Sequence, residues 1–207
     1  VDYLGEVVNV MPGTSDFDEE RGKYAEYVLS QYDILNEGGY FPQQENEAVL
    51  VIGGNNDLTD LLLAQLGYID QDTFLGLFEL GGGNTGDYDS GADTDEGYLS
   101  YTFDELLEKP YTLYYNDEVY SRNPDFATDG YVYEYSGNRG DWTGSELNAA
   151  DEEGVQIKIT AVLRLKDGLT YGCLSSGLNL TEQLVNDYVQ KNMQSELVQW
   201  LNTGLTG

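Results

Sequence analysis

Val155-Gln-Ile-Lys-Ile-Thr-Ala-Val-Leu-Arg-Leu-Lys166 is the stretch on which the fold turns. Side chains alternate between the two faces of a strand. Val155, Ile157, Ile159, Ala161, Leu163 and Leu165 therefore share one face by spacing. Gln156, Lys158, Thr160, Val162, Arg164 and Lys166 share the other. The pattern predicts one long strand with a core face and a face that meets solvent or an acidic neighbour. Asp167-Gly168 ends it.

Outward from this strand, Glu47–Ile52 is an apolar run that predicts a buried strand. Gly53-Gly54-Asn55-Asn56 turns the chain, and Asn56 or Asp57 is placed to cap a helix carrying Leu58, Leu61, Leu62 and Leu66. Gly67 is its expected stop. Thr102-Phe103-Asp104-Glu105 fits a capping box, and Pro110 ends the short helix that follows. Val1–Val10 reads as an entry strand, 17–32 as a helix with an acidic first turn, and Asn36-Glu37-Gly38-Gly39 as a turn. Tyr111–Tyr115 and Val119–Arg122 read as strands around an Asn116-Asp117 turn. Asn179 or Thr181 can cap a last helix marked by Leu184, Val185, Tyr188, Val189 and Trp200, with a restart at Ser195. The expectation is an α+β fold, a mixed sheet with packed helices, in one domain over residues 1–207.

Composition narrows the chemistry. The 207 residues carry 9 basic and 38 acidic side chains, a net charge of −29. Phosphate recognition needs a basic stripe, so nucleic acid is not an expected partner, and an anionic bilayer surface repels the chain. The absence of His removes Ser-His-Asp catalysis and His metal ligands. One cysteine, Cys173, permits neither an internal disulfide nor a multi-Cys zinc site. The longest apolar runs, Ala48–Ile52 and Leu61–Ala64, fall far short of the roughly 20 residues of a membrane span. A start at Val1 rather than Met is what an excised piece of a longer chain would show.

Several motifs invite a sharper reading. Gly81–Gly97 holds six Gly, four Asp and one Glu, and reads as a solvated, mobile acidic loop. Its Gly81-Gly82-Gly83-Asn84-Thr85-Gly86 has the spacing of a dinucleotide fingerprint, but the acids that follow repel phosphate. Asp87, Asp89, Asp93, Asp95 and Glu96 offer oxygens to calcium, although Gly91 and Ala92 break the EF-hand pattern. Tyr131, Tyr133 and Tyr135 alternate along one strand face; with Trp142 they form either a stacking platform for sugar or amphiphilic peptide, or a face packed on a neighbour. Glu105 and Glu108 are a carboxylate pair of the kind glycosidases use, in a chain where such pairs arise by chance. Ser175-Ser176 lacks the glycines of a nucleophile elbow, and Cys173 reads as a small core residue. Asn179-Leu180-Thr181 is a sequon that reads better as a cap. Lys158, Arg164 and Lys166 are expected to meet neighbouring carboxylates, or to form a docking surface for an acidic partner.

An ordered set of segments resembles one family. It comprises Gln31-Tyr-Asp-Ile-Leu through Phe41-Pro-Gln-Gln-Glu-Asn-Glu-Ala-Val-Leu-Val, Asn56-Asp-Leu-Thr-Asp-Leu-Leu-Leu through Leu66-Gly, Ser100-Tyr-Thr-Phe-Asp-Glu-Leu-Leu with Thr112-Leu-Tyr, Ile157-Lys-Ile-Thr-Ala-Val-Leu-Arg, and Leu178–Val189. The set is similar to the large extracytoplasmic domain of MacB/FtsX-type permeases of ABC transporters, in their Gram-positive gut-bacterial version. Thr160-Ala161-Val162 departs from that family's usual Gly-Val-Val. The resemblance implies a porter-like α+β part and a smaller β-rich part. It implies a place on the extracellular side of the cytoplasmic membrane, tethered between two membrane helices outside this fragment. The implied role is non-catalytic, without a cofactor: to relay motion driven by a partner ATPase, or to bind an exported or sensed peptide or amphiphile. The alternative is a free-standing surface module that binds glycan or peptide.

Overall fold

In the computed structural model the described residues are 8–14, 17–69, 100–124, 132–135 and 154–204. Their strands are β1 (Val8–Met11), β2 (Tyr32–Ile34), β3 (Glu47–Ile52), β4 (Tyr111–Leu113), β5 (Tyr120–Arg122), β6 (Tyr133–Tyr135), β7 (Val155–Leu165) and β8 (Gly177–Thr181). Their helices are α1 (Phe17–Gln31), α2 (Asp60–Gln65), α3 (Phe103–Glu108), α4 (Asn116–Val119), α5 (Glu182–Met193) and α6 (Glu196–Gly204). The architecture is α+β with a mixed sheet. Strand order is β1-β8-β3-β7-β2, β4 also pairs with β7, and β5–β6 form a separate two-stranded sheet.

β7 is the spine, and its pattern is not the simple alternation its sequence predicts. Ala48 pairs with Ile159, but the next residue, Val49, pairs with Ala161. Thr160 is the extra residue of a β-bulge, which exchanges the faces of everything beyond it. Ile157, Ile159 and Val162 consequently join Ala48, Leu50 and Ile52 in one core, closed by Leu66, Leu106 of α3 and Leu184 of α5. Ala161 and Leu163 join Val49 and Val51 in a second core on the opposite face, closed by Val28 of α1, Tyr32 and Phe41. Val162, expected on the solvent-facing side, is fully buried. The single core face predicted for Val155–Leu165 is thus corrected to two core faces exchanged at Thr160. All six residues of β3 are buried, as a strand covered on both sides requires.

The second edge of β7 is shared. β4 pairs antiparallel with 155–157, and β2 with 163–165. Between them the loop after β2 substitutes for a strand. The Thr160 carbonyl accepts from the Tyr40 N–H at 3.2 Å, the Val162 carbonyl from the Leu35 N–H at 2.9 Å, and the Asn36 Oδ1 accepts from the Val162 N–H at 2.8 Å. Buried backbone groups need such partners.

Other expectations sort by local chemistry. Helices α1 and α3, with its complete Thr102–Glu105 capping box, fall where predicted. α2 is capped by Thr59, not Asn56 or Asp57. Those two residues close the preceding turn instead: the Asp57 carbonyl accepts from the Gly53 N–H, and Asn56 takes a left-handed φ of 59°. Gly67 stops the helix with φ 72°. Asn116-Asp117 is not a hairpin turn. It opens α4, so β4 goes to β7 and β5 to β6. Thr181 caps α5, while Asn179 is fully buried in β8. Within 1–10 only Val8–Val10 is described, and it belongs to β1.

Candidate functional site

The small β5–β6 sheet carries a row of aromatic rings. Tyr120 pairs with Tyr135, Ser121 with Glu134, and Arg122 with Tyr133. Opposed residues and those two apart share a face, which places Tyr120, Arg122, Tyr133 and Tyr135 together. Tyr120 and Tyr135 meet edge to face at 5.5 Å between centroids. Trp200 of α6 packs on Tyr133 at 5.8 Å. Tyr120, Tyr135 and Trp200 remain 38, 37 and 37% exposed, so each offers part of its surface to a ligand. Of the residues predicted for this surface, Tyr133 and Tyr135 are brought together; Tyr131 and Trp142 lie outside the described residues. Trp200 and Tyr120 were not anticipated. Trp200 looks like the apolar side of an ordinary helix in sequence, and only α6's position beside the sheet reveals its role.

A network fixes this row to the body. The Asn192 Oδ1 accepts from the Asn116 N–H at 2.7 Å, and the Asp117 carboxylate accepts from the Glu196 N–H at 3.0 Å. Tyr115 stacks on Tyr188 at 5.6 Å, and the Lys191 ammonium lies 3.5 Å from the Tyr115 ring centroid. The Glu118 carboxylate accepts from the Tyr115 N–H at 2.7 Å.

A second feature ties the first described strand to β8 and the start of α5. β1 runs parallel to β8, from Val8 opposite Leu178 to Met11 opposite Thr181. Beyond the pair, the Glu182 carboxylate accepts from the Gly13 N–H at 3.0 Å. The Thr14 hydroxyl accepts from the Glu182 N–H at 2.8 Å, and the Thr14 carbonyl from the Gln183 N–H at 3.1 Å. Thr14 is fully buried. The start of α5 thus has its free N–H groups satisfied by the entry segment rather than by water.

A third cluster holds residues 66–68 to 101–111. Tyr111 donates to the Leu66 carbonyl at 3.0 Å, Lys109 to that of Gly67, and Tyr101 to that of Tyr68 at 3.0 Å. Tyr68 in turn donates to the Leu106 carbonyl at 2.8 Å. Burial pushes the Tyr111 phenol far up, and the neighbouring Tyr68 adds to it; burial also raises Tyr68. The unfolded chain ionises its tyrosines near pH ~10, so this contribution to stability is complete below that pH and falls as pH rises beyond it. Urea midpoints measured against pH should drop steeply above pH ~10, and less steeply in Tyr111→Phe. Parallel curves for the two proteins would refute the assignment.

The remaining candidates are built into the scaffold. Glu105 accepts from the Thr102 N–H at 2.7 Å and hydroxyl at 2.8 Å, which holds its carboxyl below the usual range. Lys158 meets Glu47 at 3.8 Å. Arg164 instead donates to the Asn56 side chain, and Lys166 to the carbonyls of Leu29 and Ser30, so only Lys158 fits the expected pairing with a carboxylate. Cys173 is half-buried beside the second core, and burial pushes its thiol up, away from the reactive thiolate. Asp87, Asp89, Asp93, Asp95 and Glu96 lie outside the described residues. Among the described residues no group of three or more acids or cysteines is placed to hold a metal. No described helix is long and apolar enough to cross a membrane. Comparison with protein-family models, curated proteins and solved structures found no match for this chain.

Proposed function

We propose that this chain is the extracytoplasmic domain of a MacB/FtsX-type ABC-transporter permease. It is a non-catalytic body that relays ATP-driven motion or binds the exported or sensed peptide. The observation that carries the reading is the clasp of Gly13 and Thr14 on Glu182 and Gln183. A relay between two membrane helices needs its entry and exit segments joined, so that displacement of one moves the other rather than stretching the chain between them. The β1–β8 ladder and the clasp join the first described strand to β8 and the start of α5, from which α5 and α6 lead on. The segments that carry the family resemblance lie on β2, β3, α2, α3, β4, β7, β8 and α5, the strands and helices around β7. The β5–β6 sheet corresponds on this reading to the family's smaller β-rich part.

The gene on either side of this segment is the first test. Membrane helices on both sides and an adjacent ATPase are expected; their absence ends the proposal. In vesicles holding the whole parent and its ATPase, Thr14→Val combined with Glu182→Ala should preserve ATP hydrolysis and reduce coupled transport about fivefold or more. Equal coupling in the variant would remove the relay role.

The half-exposed rings of Tyr135 and Trp200 favour a second reading, a free-standing surface module for glycan or peptide. It requires a signal peptide and an anchor in place of the membrane helices, and glycan-array hits that vanish in Tyr133→Ala.

A further inference from the structure

We infer that the row Tyr120, Tyr135, Tyr133 and Trp200 is a recognition surface for a lysine- or arginine-rich peptide segment. The inference rests on the non-catalytic receptor reading above and adds the chemistry of the ligand. Two independent features select a cation. The first is the field: the chain carries −29, and the elements that bear and brace the row contribute Asp117, Glu118, Glu134, Glu182, Asp187 and Glu196 against Arg122 and Lys191, with Glu134 on the opposite face of the small sheet. Clefts and faces of one sign concentrate ligands of the other. The second is the rings. The faces of Tyr and Trp are electron-rich and attract ammonium and guanidinium groups. This chain already uses that contact internally, with Lys191 over Tyr115 at 3.5 Å, Lys158 over Tyr40 at 5.4 Å and Lys109 over Tyr68 at 5.7 Å. Tyr120, Tyr135 and Trp200 keep more than a third of their surface open while paired ring contacts, Tyr120 with Tyr135 and Trp200 with Tyr133, hold them in place. A second copy of the chain is a poor occupant, because two bodies of −29 repel. A polyanion is poorer still.

Arg122 supplies the discriminating test. It is exposed, on the same face as Tyr133, and its charge opposes a cationic ligand but would hold an acidic one. The experiment titrates the 207-residue chain with a fluorophore-labelled Lys-Gly repeat peptide and with its Glu-Gly counterpart, and reads anisotropy. The Lys-Gly peptide should bind and the Glu-Gly peptide should not. Arg122→Gln should tighten binding about threefold, as removal of one nearby like charge does. Tyr135→Leu and Trp200→Leu should each weaken it about fivefold, the strength of one ring contact. Tyr120→Leu serves as a further variant if either fails to fold by circular dichroism. In about 1 M salt, where the screening length is roughly 3 Å, short-range ring contacts persist and the difference between wild type and Tyr135→Leu should remain. Equal binding by wild type and both leucine variants would reduce the effect to bulk charge and overturn the inference. So would weaker binding in Arg122→Gln, or a chain that dimerises through this face. Because the assay needs no membrane or ATPase, its failure leaves the permease reading intact, and failure of that reading leaves a measured ring-dependent affinity standing.

Discussion

Deleting Thr160 should unfold the protein, whereas Thr160→Val should leave it folded with a loss of only about 1 kcal/mol. Thr160 sits opposite no residue of its own on β3, and its hydroxyl donates to the Ala48 carbonyl at the long distance of 3.3 Å. The side chain therefore contributes little; the extra backbone unit contributes a great deal. Without it, the residues beyond 160 shift by one against β3. Val162, fully buried beside Leu50, would move to the other face, and Ala161 and Leu163, fully buried beside Val49 and Val51, would move the opposite way. Each well-packed buried aliphatic side chain is worth roughly 1.5–3 kcal/mol, so misfitting Val162 and Leu163 in the wrong cores, with the overpacking that follows, consumes much of the 5–15 kcal/mol that typically holds a domain. Circular dichroism and urea titration decide the matter. A folded deletion variant with a near-normal midpoint would show that the bulge does not set the face of the strand.

The same bulge explains what could be read from the sequence and what could not. β3 was legible because a strand buried on both faces has no alternation to misread: Glu47–Ile52 is simply apolar after its first residue. β7 is legible as a strand by its period-two alternation, but that same alternation places Val162 on the face expected to meet solvent or an acidic neighbour. Nothing in Ile159-Thr160-Ala161 marks a bulge, since the defining event is a pairing with Ala48 and Val49 more than a hundred positions earlier. Caps are legible where the acceptor and its target lie within one turn, as at Thr102, and at Thr181 once the burial of Asn179 in β8 decides between the two candidates. They were misread at Asn56 and Asp57, where a tight turn claimed both residues first. The aromatic surface was half legible. Period-two spacing places Tyr133 with Tyr135, while the contributions of Tyr120 and Trp200 come from elements distant in sequence. The Thr14–Glu182 clasp left no local signal at all, because it joins residues 168 apart.

Glu47→Ala is expected to cost about 2 kcal/mol, while Lys158→Ala has a much smaller effect, although the two side chains form one ion pair. The asymmetry follows from burial. Glu47 is 5% exposed, whereas the Lys158 side chain is 63% exposed. The carboxylate accepts from the Gln43 N–H at 2.6 Å, the Gln44 N–H at 3.2 Å and the Tyr40 hydroxyl at 2.7 Å. It thereby closes the loop between β2 and β3 on itself and presents Tyr40, whose N–H bonds the bulge carbonyl of Thr160. Alanine at 47 takes the acceptor from two backbone donors, each a loss on the order of 1 kcal/mol, while the Tyr40 hydroxyl keeps the Lys158 ammonium, which donates to it at 2.8 Å. Removing Lys158 takes away a solvent-exposed donor to the Tyr40 hydroxyl and leaves Glu47 all its other hydrogen bonds. At about 2–4 °C per kcal/mol for a chain of this size, Glu47→Ala should melt roughly 4–8 °C lower and Lys158→Ala close to wild type. If the two variants melt together, the ion pair rather than the hydrogen-bonded carboxylate holds the loop.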